Sequence, residues 1–266
     1  MDTAIPGGRA AAPHLGMSLA RRGFTDRMTA TGYSGALGVL GGMGPAASTG
    51  FLQTVYETAA EQSGSFAEQV LPRCLLDSDP AFPDRTEAIR TGGEAQFTAR
   101  LVRRLADLEK LGATRIVLAC VTAHHFLYRL DPARRAQMIS LVDVILDDLE
   151  AVGEGERLLL VATHGTREAR ILERSDRWPA VAHRVVLPGP KAQDTLHRLL
   201  YRLKWEPLTD ELTAHFLRIV AEHDCQGLIA GCTEVHLLTR RLRGGGQRIV
   251  DPLLTIATQL KSLLAE

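Results

Sequence analysis

Short apolar runs alternate with longer segments of helical period from Ala36 to the end of the chain. This alternation is typical of βαβ units built around a parallel sheet, and it predicts two doubly wound lobes of α/β class. The predicted strands are Ala36–Leu40, Leu71–Leu76, Arg115–Ala119, Met138–Val144, Leu158–Ala162, Arg184–Leu187, Leu228–Ala230 and Arg248–Val250. Because ligands bind beyond the carboxyl ends of such strands, we expect chemistry in the residues that follow each run.

The segments between these runs have the spacing of amphipathic helices. One apolar stripe consists of Phe97, Leu101, Leu105, Leu108 and Leu111, in a helix that Gly112 can end. A second stripe consists of Leu212, Phe216, Ile219 and Val220.

Residues 1–34 differ from the rest, being rich in glycine, alanine and arginine with only Asp2 and Asp26 as acids. We predict a flexible N-terminal extension there. An organelle transit peptide is the alternative, since such peptides are arginine-rich and poor in acidic residues.

The composition and charge of the chain limit the classes of partner that we expect. The chain has 266 residues, 45% hydrophobic and 23% charged, with 31 basic and 31 acidic residues. Such a balance provides no net field to attract nucleic acid or an anionic membrane, so we expect neither partner, and a small neutral or zwitterionic ligand fits better. No apolar run reaches the length of a membrane span and no secretory signal is present, which predicts a cytoplasmic location.

Two segments look alike: IVLACVTAH at 116–124 and LIAGCTEVH at 228–236. Each is an apolar run that ends in a cysteine, Cys120 or Cys232, with a histidine four positions later. A helix that begins just after each cysteine would lower the pKa of its thiol, because the positive end of the helix dipole favours the thiolate. The alternative is that free cysteines are buried small hydrophobes, which we accept for Cys74 and Cys225. With no C-x-x-C pair, a disulfide framework is not expected.

The segment LGGMGPAAS at 40–48 is a strand, a glycine-rich turn and a helix start near Pro45. It has neither the G-x-G-x-x-G spacing of a dinucleotide site nor the G-K-[ST] of a P-loop. It is therefore a loop whose amides can meet a small anion, or only a tight turn. We expect no cofactor.

Six motifs together resemble the aspartate/glutamate racemase superfamily, specifically its aspartate-racemase branch, over roughly residues 36–262. They are LGGMGPAAS, PDRT at 83–86, ACVTAH at 119–124, ATHGT at 162–166, GCTE at 231–234 and IVDP at 249–252. The resemblance implies two similar αβα lobes with parallel sheets, related by a pseudo-twofold axis, with the site in the interlobe cleft and a homodimer. It suggests a first lobe of 35–134 plus 243–266 and a second lobe of 135–242.

The resemblance also implies roles for individual residues. Cys120 and Cys232 correspond to the two catalytic thiols, and Arg85 to the guanidinium that holds a substrate carboxylate, unless it is a solvated loop charge. The other implied substrate-binding residues are Met43 and Gly44 at the cleft floor, Thr122, Thr163 and Thr233 as hydrogen-bonding groups, Glu234 beside the second thiol, and, by a loose alignment, Lys204 at a distal carboxylate. Thr163 and Thr166 have helix capping as their alternative. His124 and His236 are expected to support neighbouring groups, not to bind a metal.

One position departs from the family pattern. The family reads Cys-Asn-Thr at the first thiol, whereas this chain has Val121. Because valine offers no hydrogen bond, we expect aspartate and glutamate to be poor substrates and Val121→Asn to gain some aspartate racemisation.

These features predict a PLP-independent racemase or epimerase that inverts the carbon next to a carboxylate of an amino acid or related small acid by proton transfer between two thiols. Two alternatives remain open. One is a decarboxylase or cis-trans isomerase of a small carboxylic acid on the same fold, and the other is a non-catalytic ligand-binding homologue.

Overall fold

Two parallel sheets of four strands form the centre of the molecule. The structure is a computed structural model that describes residues 32–65, 67–242 and 244–265, so most of the predicted extension, residues 1–31, lies outside the described residues. The strands are β1 (Ala36–Gly41), β2 (Arg73–Ser78), β3 (Arg115–Leu118), β4 (Met138–Ile139), β5 (Leu158–Ala162), β6 (Val185–Val186), β7 (Gly227–Gly231) and β8 (Arg248–Val250).

The two sheets have the same internal order. The first sheet runs β2-β1-β3-β4 and the second runs β6-β5-β7-β8, and all pairs are parallel. Strand β3 therefore occupies in the first sheet the place that β7 occupies in the second. We call each sheet with its helices a lobe, and the predicted α/β class with two lobes is confirmed.

Helices and short 3-10 segments connect the strands. The helices are α1 (Pro45–Ser63), α2 (Arg85–Thr91), α3 (Glu94–Lys110), α4 (Pro132–Ala136), α5 (Leu141–Glu150), α6 (His164–Glu168), α7 (Trp178–Val181), α8 (Pro190–Arg202), α9 (Asp210–Ala221), α10 (Val235–Arg241) and α11 (Pro252–Leu263). The 3-10 segments are Glu68–Val70, Thr122–Arg129 and Ala182–Arg184. None of the helices in the described ranges has the length and apolarity that crossing a membrane requires.

The two predicted apolar stripes lie on α3 and α9. All four stripe residues of α9 are buried, and so are the first four of α3. Leu111 is different, because α3 ends at Lys110 and the Leu111 side chain is 60% exposed. Gly112 follows in a left-handed conformation, with φ of 92°, which suits a glycine just past a helix end.

The predicted strand Met138–Val144 is wrong beyond Ile139. Ser140 caps helix α5, and its side chain accepts a hydrogen bond from the Asp143 amide. From Leu141 onward the buried positions repeat with helical spacing, so the apolar run contains a two-residue strand and the start of a helix. Likewise, the predicted strand from Leu71 begins at Arg73.

The crossings between sheets fall later in the chain than the suggested lobe boundaries. Strand β4 pairs with β3 in the first sheet, although the boundary at 134/135 assigns it to the second lobe. Strand β8 pairs with β7 in the second sheet, although the boundary at 242/243 assigns it to the first lobe. The chain thus completes all four strands of one sheet before it leaves that sheet. Helix α11, which follows the last strand, packs against α1 and α5.

Candidate functional site

A small cavity lies where the carboxyl ends of strands from both sheets meet. The strands β1, β3, β5 and β7 each deliver a lining residue just after they end, as expected for parallel sheets. The lining residues are Met43, Asp84, Arg85, Thr86, Cys120, Thr122, Thr163, Tyr201, Lys204, Cys232 and Glu234.

Both thiols reach this cavity from equivalent places. Cys120 follows β3 and Cys232 follows β7, and each residue is 6% exposed. The 3-10 segment Thr122–Arg129 begins two residues after Cys120, and α10 begins three residues after Cys232. The repeat seen in the sequence therefore corresponds to two cysteines that line one cavity from two lobes.

The expected lowering of the thiol pKa is wrong for Cys232. Its Sγ donates a hydrogen bond to Oε2 of Glu234 at 2.8 Å. Burial raises the pKa of the Cys232 thiol well above its usual value, and the negative charge of Glu234 raises it further. Burial and the neighbouring carboxylate thus both favour the protonated form of Cys232.

Arg85 is a buried guanidinium at the first position of α2. Its Nη2 donates to the Met43 carbonyl at 2.8 Å and its Nη1 donates to the Pro83 carbonyl at 3.3 Å. Burial alone would lower the pKa of Arg85, but Cys120, Asp84 and Glu234 raise it above the usual value. Its Nε is buried and has no hydrogen-bond partner among the described residues. A solvated loop charge does not fit this burial.

Glu234 is 1% exposed and is only half satisfied. One oxygen accepts the Cys232 thiol, while Oε1 is buried and no described residue donates to it. Gly44 makes room for this carboxylate: a Cβ on Gly44 would lie 2.1 Å from Oε1, and the φ of Gly44 is 158°. A side chain at position 44 would therefore collide with Glu234.

Three threonine hydroxyls form a buried triangle between the lobes. The Thr122 Oγ1 lies 3.1 Å from that of Thr163 and 2.8 Å from that of Thr166, and the last two lie 3.2 Å apart. Thr163 is also the N-cap of α6, since its Oγ1 accepts from the Thr166 amide. Thr163 thus both caps a helix and lines the cavity.

Lys204 lies at the cavity beside residues that the sequence did not single out. Its Nζ lies 3.7 Å from the centre of the Tyr201 ring, and the Tyr201 hydroxyl donates to Oδ2 of Asp84 at 2.8 Å. Oδ1 of Asp84 accepts from the Glu87 amide and caps α2. The PDRT motif contains Asp84 and Thr86 and was a signal that could have found them, whereas no local pattern pointed to Tyr201.

Three predicted substrate-binding residues do not line the cavity. Gly44 lies under Glu234 as described above, and Thr233 donates its hydroxyl to the Ala119 carbonyl at 3.2 Å. Val121 is 1% exposed, and its side chain packs in the apolar core with Ala119 and Leu141.

The two histidines are held by neighbouring groups. His124 donates from Nδ1 to the Cys120 carbonyl at 2.9 Å and accepts at Nε2 from the Leu141 amide. Burial lowers the pKa of His124 to about 4. His236 is fully buried, with Nδ1 2.7 Å from a carboxylate oxygen of Asp251. Within the described ranges, no group of three or more histidine, cysteine or acidic side chains is arranged to hold a metal.

The amino-acid sequence matches one protein family over most of its length. The family model for Asp/Glu/hydantoin racemases matches residues 40–260. The chain belongs to this family. It is therefore an enzyme of the isomerase class.

Solved structures share the fold of this chain. An aspartate racemase from Picrophilus torridus is 21% identical, with a TM-score of 0.70 over 87% of this chain and 100% of that one. A putative Asp/Glu racemase from Yersinia pestis is 18% identical, with a TM-score of 0.64 over the same shares. Among curated proteins, the broad-specificity amino-acid racemase RacX of Bacillus subtilis is 19% identical over 211 residues, 75% of this chain and 86% of RacX.

Proposed function

We propose that this protein racemises or epimerises an amino acid by moving protons between Cys120 and Cys232. One observation carries the proposal: the two cysteines follow equivalent strands of two sheets and line one cavity from opposite lobes. Inversion needs a base on one face of the reacting carbon and an acid on the other, because a single base returns the proton to the face it left.

The two thiols have different neighbours. Cys232 donates a hydrogen bond to Glu234 and is proposed to begin as the thiol. Cys120 shares the cavity with the Arg85 guanidinium and is proposed to begin as the base. In this direction the Cys120 thiolate takes the α-proton, and the Cys232 thiol gives its proton to the opposite face of the carbon. The reverse direction exchanges these roles.

Arg85 is proposed to hold the substrate carboxylate. The electron pair left on the α-carbon is delocalised into that carboxylate, where the positive charge of Arg85 stabilises it. Its unpartnered Nε and its burial support this role. Lys204 is proposed to meet a group at the far end of the substrate.

The substrate class is proposed more broadly than one amino acid. RacX is named as a broad-specificity amino-acid racemase, and this likeness supports a range of amino acids. Poor turnover of aspartate and glutamate stays a prediction, and the inward packing of Val121 removes the direct contact on which it was based. A homodimer and a cytoplasmic location also stay predictions.

A proton-exchange experiment tests the function. L- and D-amino acids and simple 2-substituted acids are incubated with enzyme in D₂O, and loss of the α-proton signal is followed by NMR. We expect both exchange and inversion with the wild type. Cys120→Ala and Cys232→Ala should lose inversion by about 10²–10⁴-fold, the usual worth of a general acid or base. One-sided exchange can persist.

Cys225→Ala is the matched control, because Cys225 is a free cysteine outside the cavity. It should racemise like the wild type. Near wild-type inversion by either cavity variant would refute the two-thiol mechanism.

A further inference from the structure

A histidine follows each cavity cysteine by four residues, and the proposed reaction uses neither of these side chains. They are His124 after Cys120 and His236 after Cys232. His236 is fully buried and His124 is partly buried. Because burying a polar ring without partners costs free energy, the partners of each ring show what the ring holds in place.

The backbone between each cysteine and its histidine has the same hydrogen bonds in both lobes. The amide three residues after the cysteine donates to the cysteine carbonyl, at 3.2 Å for Cys120 and 3.0 Å for Cys232. The histidine amide donates to the carbonyl of the residue that follows the cysteine, at 3.0 Å for His124 and 3.1 Å for His236. We call each segment from cysteine to histidine a thiol turn. The position of each sulfur is tied by these bonds to the histidine that ends its turn.

The His124 ring fixes the first thiol turn to a neighbouring helix. Its Nδ1 donates to the Cys120 carbonyl at 2.9 Å, and its Nε2 accepts from the Leu141 amide at 3.0 Å. Leu141 is the first residue of α5 and is fully buried. The ring therefore joins the residue that carries the first sulfur to the start of a packed helix.

The His236 ring fixes the second thiol turn to two helices. Its Nδ1 donates to Oδ2 of Asp251 at 2.7 Å, and its Nε2 lies 2.9 Å from Oγ1 of Thr54. Asp251 caps α11, since its Oδ1 accepts from the Leu253 amide at 3.0 Å. Thr54 is a fully buried residue of α1. The ring thus ties the second turn to both α1 and α11.

We propose that the two histidines are positioning residues, each of which holds the sulfur of its own thiol turn at the cavity. The proposal rests on the proposed function, since proton transfer on two faces of one carbon requires both sulfurs at fixed places. Both nitrogens of each ring have a partner, and neither histidine belongs to the described residues that line the cavity. The rings therefore act through the thiols and not on the substrate.

The first test measures the two thiols separately and needs no substrate. Folded protein is treated with iodoacetamide, and alkylation of each cysteine is followed by mass spectrometry of its peptide. Because both cysteines are only 6% exposed, loosening a thiol turn should speed alkylation of its own sulfur. We expect His124→Gln to raise the rate at Cys120 by at least about fivefold and to leave Cys232 within about twofold of the wild type. His236→Gln should do the reverse.

Thr54→Val provides a second variant for the second thiol turn. It removes the partner of the His236 Nε2 and leaves the sequence of both turns unchanged. It should raise the alkylation rate at Cys232 and leave the rate at Cys120 as in the wild type. If His236→Gln does not fold, as judged by near-ultraviolet circular dichroism, this variant makes the same test.

His223→Gln is the matched control. The His223 Nδ1 donates to the Ile219 carbonyl at 2.7 Å, across the same four-residue spacing as the bond from His124 to Cys120. His223 lies outside both thiol turns. The control should leave both alkylation rates unchanged.

The second test follows the reaction with a substrate that the wild type inverts in D₂O. His124→Gln and His236→Gln should each lower kcat by at least about tenfold and keep KM within about threefold, because a displaced thiol slows proton transfer while Arg85 stays in place.

The outcomes distinguish this inference from the proposed function. The inference fails if each histidine variant changes both thiols alike, if neither thiol changes, if His223→Gln has the same effect, or if kcat stays at the wild-type value. Inversion by the wild type in D₂O would then still support the two-thiol racemase. Conversely, a crossed pattern of alkylation in a protein that exchanges no α-proton would support the positioning of the thiols and refute the racemase.

Discussion

Arg85 is the residue on which substrate binding is proposed to depend most. Losing a charge-assisted contact typically costs about 1.5–3 kcal/mol, or one to two decades in affinity or rate. Arg85→Ala should therefore lower kcat/KM by about 10–100-fold. Arg85→Lys should recover little, because an ammonium cannot reproduce the planar fork that also holds the Met43 and Pro83 carbonyls. Unchanged steady-state kinetics in Arg85→Ala would contradict the assignment.

Position 44 requires glycine because a Cβ there would collide with Glu234 and because the backbone φ is positive. Gly44→Ala places a Cβ 2.1 Å from Oε1 of Glu234, so the carboxylate has to move from the Cys232 sulfur. We expect racemase activity to fall by at least about tenfold, since a misplaced group near the reacting atoms is costly.

Gly64→Ala provides the control for Gly44→Ala. Gly64 also has a positive φ, 60°, but a Cβ added there would have nothing within 4 Å. The Gly64→Ala variant should lose about 1 kcal/mol of stability and keep its activity. Equal loss of activity in both variants, measured at matched folded fractions, would show that conformation and not the contact with Glu234 decides.

Val121 shows a limit of motif comparison at the level of one residue. Its neighbours Cys120 and Thr122 line the cavity, whereas the Val121 side chain lies in the core. Val121→Asn would bury an amide among apolar side chains, at a cost of about 1–3 kcal/mol. We now expect a lower urea midpoint for this variant and no gain in aspartate racemisation. A stable variant with new aspartate turnover would restore the interpretation based on the family asparagine.

The sequence pattern itself singled out Cys120 and Cys232, because parallel strands bring their carboxyl ends together. Arg85 and Thr163 were implied by the family resemblance, and all four residues line the cavity. Tyr201 was missed because it reaches the cavity from the end of a helix, α8, and no local pattern shows which way such a side chain points.

At the scale of elements, His124 links strand β3 to helix α5. Its ring accepts from the Leu141 amide at the start of α5 and donates to the Cys120 carbonyl after β3, so it is held as the neutral form. Burial lowers its pKa to about 4, against an opposing effect of the Cys120 carbonyl and Asp143. In the unfolded chain its pKa is about 6.5.

The lowered pKa of His124 makes the free energy of unfolding depend on pH. As the pH falls from about 6.5 to about 4, the unfolded chain binds a proton at His124 before the folded protein does. The free energy of unfolding should therefore decrease over this window, and His124→Gln should decrease less. His197, with a pKa also lowered to about 4, contributes with the same sign in both proteins, so the difference between their urea curves is the quantity to measure. Parallel curves would contradict the prediction.

The elements were predicted well where hydrophobic pattern alone decides them. Strands β1, β5 and β7 are buried at every position, and each appears as an uninterrupted apolar run. The run from Met138 to Val144 was misassigned because a buried strand and the buried face of a helix look alike over seven residues. The cap at Ser140 was the signal that separates them.

At the scale of the whole molecule, the two lobes share a core. One apolar cluster includes Leu37 and Val39 of the first sheet, Leu158 and Ile229 of the second sheet, and residues of α5 and α11. A second cluster, built around α3, belongs to the first lobe, and a third belongs to the second lobe. Because the shared cluster joins both sheets, we expect the lobes to unfold together and not as independent domains.

A substitution confined to the first lobe tests this coupling. Leu101 on α3 is fully buried in the cluster of the first lobe, and Leu101→Ala should cost about 2–5 kcal/mol. Both tryptophans, Trp178 and Trp205, are in the second lobe. Because Trp205 is 86% exposed, the partly buried Trp178 is the one whose fluorescence reports unfolding there, while far-ultraviolet circular dichroism reports the whole chain. We expect urea to produce one transition with the same midpoint by both signals, and Leu101→Ala to shift both equally.

Leu111→Ala is the matched control, since Leu111 follows the same helix but is 60% exposed. It should change the stability by no more than about 0.5 kcal/mol, as is usual for surface substitutions. If Leu101→Ala moved the dichroism midpoint and left the tryptophan midpoint in place, the lobes would unfold separately. The shared cluster would then be too weak to couple them, and motion of one lobe against the other would become the expected route by which a substrate enters the cavity.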